Sequence, residues 1–207
     1  MLNVTLDEHF IDNKLAELLL NTCHTLFNHC TRRTTLILGD DGLVYDKTPA
    51  LKWLPEVLKV KEKLEKLTGQ HYNFCAIMCY PNGQAVIKKH RDKEIPSGSE
   101  ICGLSLGCTR RLKLTPIHGG QPVIFNLPHG SLYSLLPPTN DYWLHEILPE
   151  EINHVRYSLT FRNIPNPLTI QDLIYCPAIL KSGKRKGEPC GACVIGSYCG
   201  KHLKLIL

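Results

Sequence analysis

Tyr72-Asn73-Phe74-Cys75-Ala76-Ile77-Met78-Cys79-Tyr80, closed by Pro81-Asn82-Gly83, is where the chain changes texture. The run is apolar and aromatic, carries no helical spacing and ends on a turn signal, so it reads as a buried strand. Residues 85–89, 101–106, 111–114, 122–127, 131–136, 142–147 and 155–162 repeat the short-run pattern. Pro96-Ser97-Gly98, His118-Gly119-Gly120 and Pro137-Pro138 punctuate them. Eight short strands in succession predict an antiparallel double-sheet barrel or jelly roll.

Upstream the period is helical. Thr5 and Glu8 have capping-box spacing ahead of the stripe Ile11, Leu15, Leu18, Leu19 and Leu26. A second helix is expected over residues 54–67, with Pro55 in its first turn and Gly69 just past its end. The expected class is therefore α+β, with N-terminal helices against a jelly-roll core.

Composition is that of an ordinary globular chain, 43% apolar and 21% charged over 207 residues. No basic stretch leads into an apolar one at the N-terminus, and no run approaches the roughly 18 apolar residues of a membrane span. Ten cysteines without a leader point to a reducing compartment, cytoplasm or nucleus, rather than to disulfides. The net charge of +5 is uneven: residues 1–162 hold 18 Lys and Arg against 17 Asp and Glu, and residues 163–207 hold six against two. A basic tail of this kind suits a polyanion or is simply a solvated surface.

Strand residues two apart share a face, so in Lys89-His90-Arg91-Asp92 one imidazole and one carboxylate aim into the same space and Arg91 turns away. A third ligand from a distant strand makes a two-His, one-carboxylate iron site with open positions. His-x-Asp alone is a weak signal, and four downstream histidines compete for the third place. His118 and His129 sit in loop-like settings, His145 lies in the run Tyr142-Trp143-Leu144-His145, and His154 just precedes the last strand. That strand, Val155-Arg156-Tyr157-Ser158-Leu159-Thr160-Phe161-Arg162, carries two arginines on one face, about 20 Å apart if straight. An arginine inside a barrel needs an anion, and a dicarboxylate such as 2-oxoglutarate supplies one.

The order Tyr72-Asn73-Phe74, Tyr80, Gly83, Ile87, His90-Arg91-Asp92, Glu94, Leu104-Ser105-Leu106-Gly107, His129-Gly130-Ser131-Leu132, His145 and Arg156 to Arg162 resembles the AlkB family of Fe(II)/2-oxoglutarate-dependent dioxygenases. Gly39-Asp40-Asp41-Gly42-Leu43-Val44-Tyr45 and Trp53-Leu54-Pro55 are similar to its duplex-DNA repair branch. The resemblance covers roughly residues 32–164. It implies that His90, Asp92 and His145 hold iron, and that Tyr80, Arg156 and Arg162 hold 2-oxoglutarate. Of the two arginines, Arg162 is expected at the distal carboxylate and Arg156 at the iron-side end. Tyr45, Arg91 and Glu94 are implied as substrate contacts. One departure stands out: the family has Asn two residues before the strand tyrosine, and here that place is Met78, leaving Asn73 or a water to supply the missing donor. The reaction implied is oxidative removal of alkyl groups from nucleic-acid bases, DNA before RNA, with formaldehyde, succinate and CO2 released. The competing readings are the same iron chemistry on a protein or small molecule, and a catalytically silent binding module.

In the tail, Cys176, Cys190, Cys199 and His202 offer three thiolates and an imidazole for a tetrahedral structural zinc, with Cys193 as an alternative ligand. A short glycine-rich segment of low apolar content needs such a metal to fold. Tyr198-Cys199 followed by His202 resembles small modules on proteins of large DNA viruses, which places one reading of this chain inside an infected host cell. The expected organisation is a dioxygenase domain over residues 1–164, a linker over 165–174 and a zinc module over 175–207. Expected partners are nucleic acid and, through the tail, a protein; no membrane is expected, and a monomer is favoured.

Overall fold

The computed structural model describes residues 1–165, 167–175 and 177–195. In chain order the elements are β1 (Val4–Asp7), α1 (Asn13–Leu26), β2 (Thr34–Gly39), β3 (Leu43–Tyr45), β4 (Thr48–Pro49), α2 (Pro55–Thr68) and β5 (Phe74–Tyr80). There follow β6 (Ile87–His90), β7 (Ile101–Gly107), β8 (Arg110–Pro116), β9 (Val123–Leu127), β10 (Leu132–Leu135), α3 (Thr139–Tyr142), β11 (Trp143–Ile147) and β12 (Arg156–Arg162). The last are β13 (Leu168–Thr169), a single 3₁₀ turn (Ile170–Asp172), β14 (Leu173–Tyr175) and β15 (Cys193–Ile195). No helix among them is long and apolar enough to cross a membrane.

Two compact units result: residues 1–39 with 51–165, and residues 40–50 with 166–207. The first is mostly antiparallel sheet with few helices. Its six-stranded sheet runs β1-β10-β7-β12-β5-β2 and its four-stranded sheet β6-β11-β8-β9. Alternation along the strands divides the large sheet into two faces. Cys75, Ile77 and Cys79 of β5, Leu104 and Leu106 of β7, and Tyr157, Leu159 and Phe161 of β12 pack with Leu19 and Cys23 of α1 and Val60 and Leu64 of α2. The opposite face contributes Met78, Tyr80, Ile101, Tyr133 and Leu135, which pack with Leu112, Leu114, Leu127 and Ile147 from the small sheet. This second interior is where the polar side chains gather. Leu159 and Leu104 are fully buried on the helix side, where truncation to Ala costs about 2–5 kcal/mol.

Gly103 is required by a close approach, because a Cβ there would lie 2.2 Å from the ring of Tyr133 across the ladder. The N-terminal reading needs correction. Thr5 is not a helix cap; it lies on β1 opposite Ser134. The helix starts at Asn13, and the Asp12 carboxylate caps it by accepting from Leu15 N at 2.8 Å. The second helix is as expected, ended by Gly69 in the left-handed conformation.

In the second unit β3 pairs with both β4 and β13, the latter lying in the stretch expected as a linker. The β3–β4 turn, Asp46-Lys47, has positive φ at both residues (46° and 63°). Cys190 N donates to Ala178 O at 2.7 Å. Cys176, Cys199 and His202, the other expected zinc ligands, lie outside the described residues, and so the zinc reading is left where the sequence put it.

Candidate active site

His90 ends β6, and the ladder sets it directly opposite His145 on β11. Their rings are 4.2 Å apart. Asp92 lies beyond the strand end, and its Oδ1 is 3.5 Å from His90 Nε2 and 3.7 Å from His145 Nε2. One ligand atom from each of the three falls within 4.8 Å of the others, so the set can hold a metal ion. The strand-face argument therefore positions His90 but not Asp92. Asp92 is fixed by Asn140 of α3, whose Oδ1 accepts from Asp92 N (3.0 Å) while its Nδ2 donates to Asp92 O (2.8 Å).

The protonation states suit a metal. Burial disfavours the Asp92 anion, but the hydrogen bond from His90 and the charge of Arg162 outweigh it and hold the carboxyl at about 2. Burial pushes the His145 imidazole down to about 4, leaving it neutral at physiological pH. The hydrogen bond to Asp92 raises His90, against burial. His90 Nδ1 lies 2.8 Å from Lys88 O, so in the neutral ring the proton sits on Nδ1 and Nε2, which faces Asp92, is the nitrogen that would bind a metal.

The other histidines take different roles. His129 Nδ1 accepts from Gly107 N at 3.0 Å, and His118 and His154 are exposed.

Arg162 lies on the site's metal side. Its Nε is 2.6 Å from Asp92 Oδ2, without hydrogen-bond alignment, and its Nη1 donates to Glu94 Oε1 at 3.0 Å. Arg156, six residues away on the same face of β12, is fully buried. Its Nε donates to Ser105 Oγ at 2.9 Å, while Nη1 and Nη2 have no hydrogen-bond partner within 3.5 Å among the described residues. The guanidinium stands 5.2 Å from the centre of the Tyr80 ring. Arg162, expected from sequence at the distal carboxylate, neighbours the metal ligand Asp92, and Arg156 does not. A guanidinium sealed from water with two empty donors calls for an anion, and a dicarboxylate reaching from the metal fits that demand.

Contacts bear on one further expectation. Asn73 cannot replace the donor missing at Met78, because Nδ2 donates to Ile164 O and Oδ1 accepts from Ile164 N. Arg91 lines a cleft of about 580 Å³ beside His90, together with Lys89, Lys93 and His118. Tyr45 belongs to the second unit, at the end of β3.

Sequence reading missed two residues that build this site. Asn140 was hidden in a stretch read as turn punctuation. Arg110, fully buried, donates to the carbonyls of Asn82, Gly83, Ala85 and Leu148 and so closes the loops behind Tyr80.

Residues 22–162 match the 2OG-Fe(II) oxygenase superfamily. The chain belongs to that family. The DNA oxidative demethylase ALKBH2 of Mus musculus is 33% identical over 152 residues, 66% of this chain and 63% of its own length. The alpha-ketoglutarate-dependent dioxygenase alkB homolog 3 of Rattus norvegicus is 32% identical over 152 residues, 65% of this chain and 51% of its own. The chain thus spans between half and two thirds of the length of these relatives. The solved structure of OsALKBH1 shares the fold at 14% identity, with a TM-score of 0.60 over 79% of this chain and 99% of that one. For a 2OG-Fe(II) oxygenase, His90, Asp92 and His145 form the expected metal-binding triad.

Proposed function

We infer that this oxygenase, a jelly roll of the AlkB type, removes alkyl groups oxidatively from nucleic-acid bases, N-methylated DNA bases before RNA. The observation that carries the reading is a three-ligand metal centre sharing one buried interior with an arginine whose Nη atoms have no partner. Three protein ligands leave positions for a chelating cosubstrate, and the arginine receives that cosubstrate's far charge. When bound, iron(II) with 2-oxoglutarate and dioxygen supplies the oxidation of a substrate C–H bond, with succinate and CO2 formed alongside.

The protein supplies position and charge. His90, Asp92 and His145 would hold the metal. Arg156 would pair with the distal carboxylate beside the Tyr80 hydroxyl, and Arg162 would serve the iron-side end while keeping Asp92 ionised. A methyl on a ring nitrogen, once hydroxylated, leaves as formaldehyde when its C–N bond breaks and the nitrogen keeps the electron pair. To reach the metal a base must leave its stack, which costs a few kcal/mol and less where alkylation has already broken its pairing. Lys89, Arg91 and Lys93 at the cleft beside His90 suit phosphates, which position a strand without reading its sequence. Glu94 and Arg91 are the proposed base contacts and Tyr45 the proposed stacking ring. The relatives named as demethylases of DNA support the same substrate class. In the tail, Cys176, Cys190 or Cys193, Cys199 and His202 are proposed to hold a structural zinc and to serve a nucleic-acid or protein partner.

The test is formaldehyde release, dependent on Fe(II) and 2-oxoglutarate, from single- and double-stranded methylated DNA and from methylated RNA, with a methylated peptide in parallel. Release from an oligonucleotide supports the reading. Release from the peptide alone moves the chemistry to proteins. Metal binding without turnover on any of them leaves a silent binding module.

A further inference from the structure

We propose that Arg33 is a second cosubstrate-binding residue, joining Arg156 in a two-guanidinium grip on the distal carboxylate. The proposal rests on the 2-oxoglutarate reading above and adds to it a residue outside the strand arginines.

The placement follows from register. β2 pairs antiparallel with β5, Thr35 opposite Met78 and Thr34 opposite Cys79. Arg33 immediately precedes β2, one residue beyond the Thr34–Cys79 pair, at the end of the ladder next to Tyr80. On the other side of β5, Arg156 is the partner of Tyr80. Arg156 thus shares with Tyr80 and Met78 the interior face of the sheet by alternation, and Arg33 stands at the other side of β5. Its Nη1 is 4.0 Å from Met78 Sδ. The Tyr80 hydroxyl donates to the same sulfur at 3.6 Å.

The chemistry of that contact is incomplete. A thioether is a weak acceptor, and a guanidinium has five donors to satisfy. Among the described residues no carboxylate lies within ion-pair distance of Arg33, and its own position is exposed. Nearby, Arg156 has two empty donors. Arg110, whose guanidinium is 5.9 Å from the Tyr80 ring, is already engaged by four carbonyls and lies 3.7 Å from Glu150. The Tyr80 hydroxyl, pushed up by burial, is drawn back by Arg156, then Arg33, then Arg110. Two guanidinium groups without a carboxylate partner among the described residues therefore act on one tyrosine, and their shared positive potential favours an anion there.

The experiment is anaerobic calorimetric titration of the Mn(II)-loaded protein with 2-oxoglutarate and with 2-oxobutyrate, which keeps the chelating end and lacks the distal carboxylate. Arg33→Ala should weaken 2-oxoglutarate about ten-fold, less than loss of buried Arg156, because one partner is exposed. It should leave 2-oxobutyrate within about two-fold, since the deleted group has nothing to meet there. Arg33→Lys, which keeps charge without the planar fork, should fall between. An equal effect on both ligands, or none on either, overturns the proposal. So does unchanged 2-oxoglutarate affinity with a raised KM for methylated oligonucleotide, which makes Arg33 a substrate contact. Wild-type protein that binds no 2-oxoglutarate defeats the cosubstrate pocket itself, and with it this inference.

Discussion

Two poles of the same interior handle charge in opposite ways. At the metal pole, Arg162 is matched by Asp92 and Glu94, and Asp92 in turn by His90 and His145. At the Tyr80 pole, Arg156 is buried with both Nη atoms unmet and, among the described residues, no carboxylate in ion-pair contact. The first pole is assembled before any ligand arrives. The second holds an unpaired charge that only a ligand can neutralise. A buried charge without a partner is destabilising, so the protein carries that cost at one end of the site in exchange for cosubstrate selectivity.

The sharpest way to break the comparison is to remove each pole's key group. His145→Ala should abolish turnover with the fold intact by circular dichroism. Full activity there, with loss instead in His118→Ala or His129→Ala, would move the third ligand. Next in size, Arg162→Met should destabilise the metal-free protein by about 3–5 kcal/mol, because it strands a buried carboxylate. Arg156→Met should do the reverse, stabilising the metal-free protein by about 1–4 kcal/mol in urea unfolding. If both substitutions destabilise alike, the poles do not differ as described.

Smaller again is Asn140→Ala. Both side-chain hydrogen bonds of Asn140 run to the backbone of Asp92, so its loss should lower Mn(II) affinity about 10- to 100-fold, as outer partners of metal ligands do. Unchanged affinity would mean the loop around Asp92 is held by other contacts, such as Asp141 Oδ2 accepting from Ser97 Oγ and Gly98 N.

Much of this was written in the sequence, and the omissions have physical reasons. All eight strands from β5 onward, β13 to β15 apart, could be read because each is a short apolar run between turn residues, a local property. β1 was missed because its pairing partner, β10, is about 130 residues away, and Thr5 with Glu8 mimics a cap whose real place is Asp12. His90 and Asp92 were found by spacing, yet only His90 lies on the strand that the spacing assumed; Asn140 does the rest. That Arg162 and not Arg156 stands beside Asp92 could not be read, because the direction in which β12 crosses the metal side depends on sheet order, which local pattern does not carry. Arg33 belongs to no motif, and only its contact with Met78 brings it to notice.

The most direct test of the two-pole account is a titration with 2-oxoglutarate, with and without Mn(II), of wild type and Arg156→Met. The account predicts tight binding only when metal and Arg156 are both present. Losing Arg156 should raise Kd about 100-fold or more, from two charge-assisted hydrogen bonds of about 1.5–3 kcal/mol each. Binding that is indifferent to the metal, or equally strong in Arg156→Met, would contradict it.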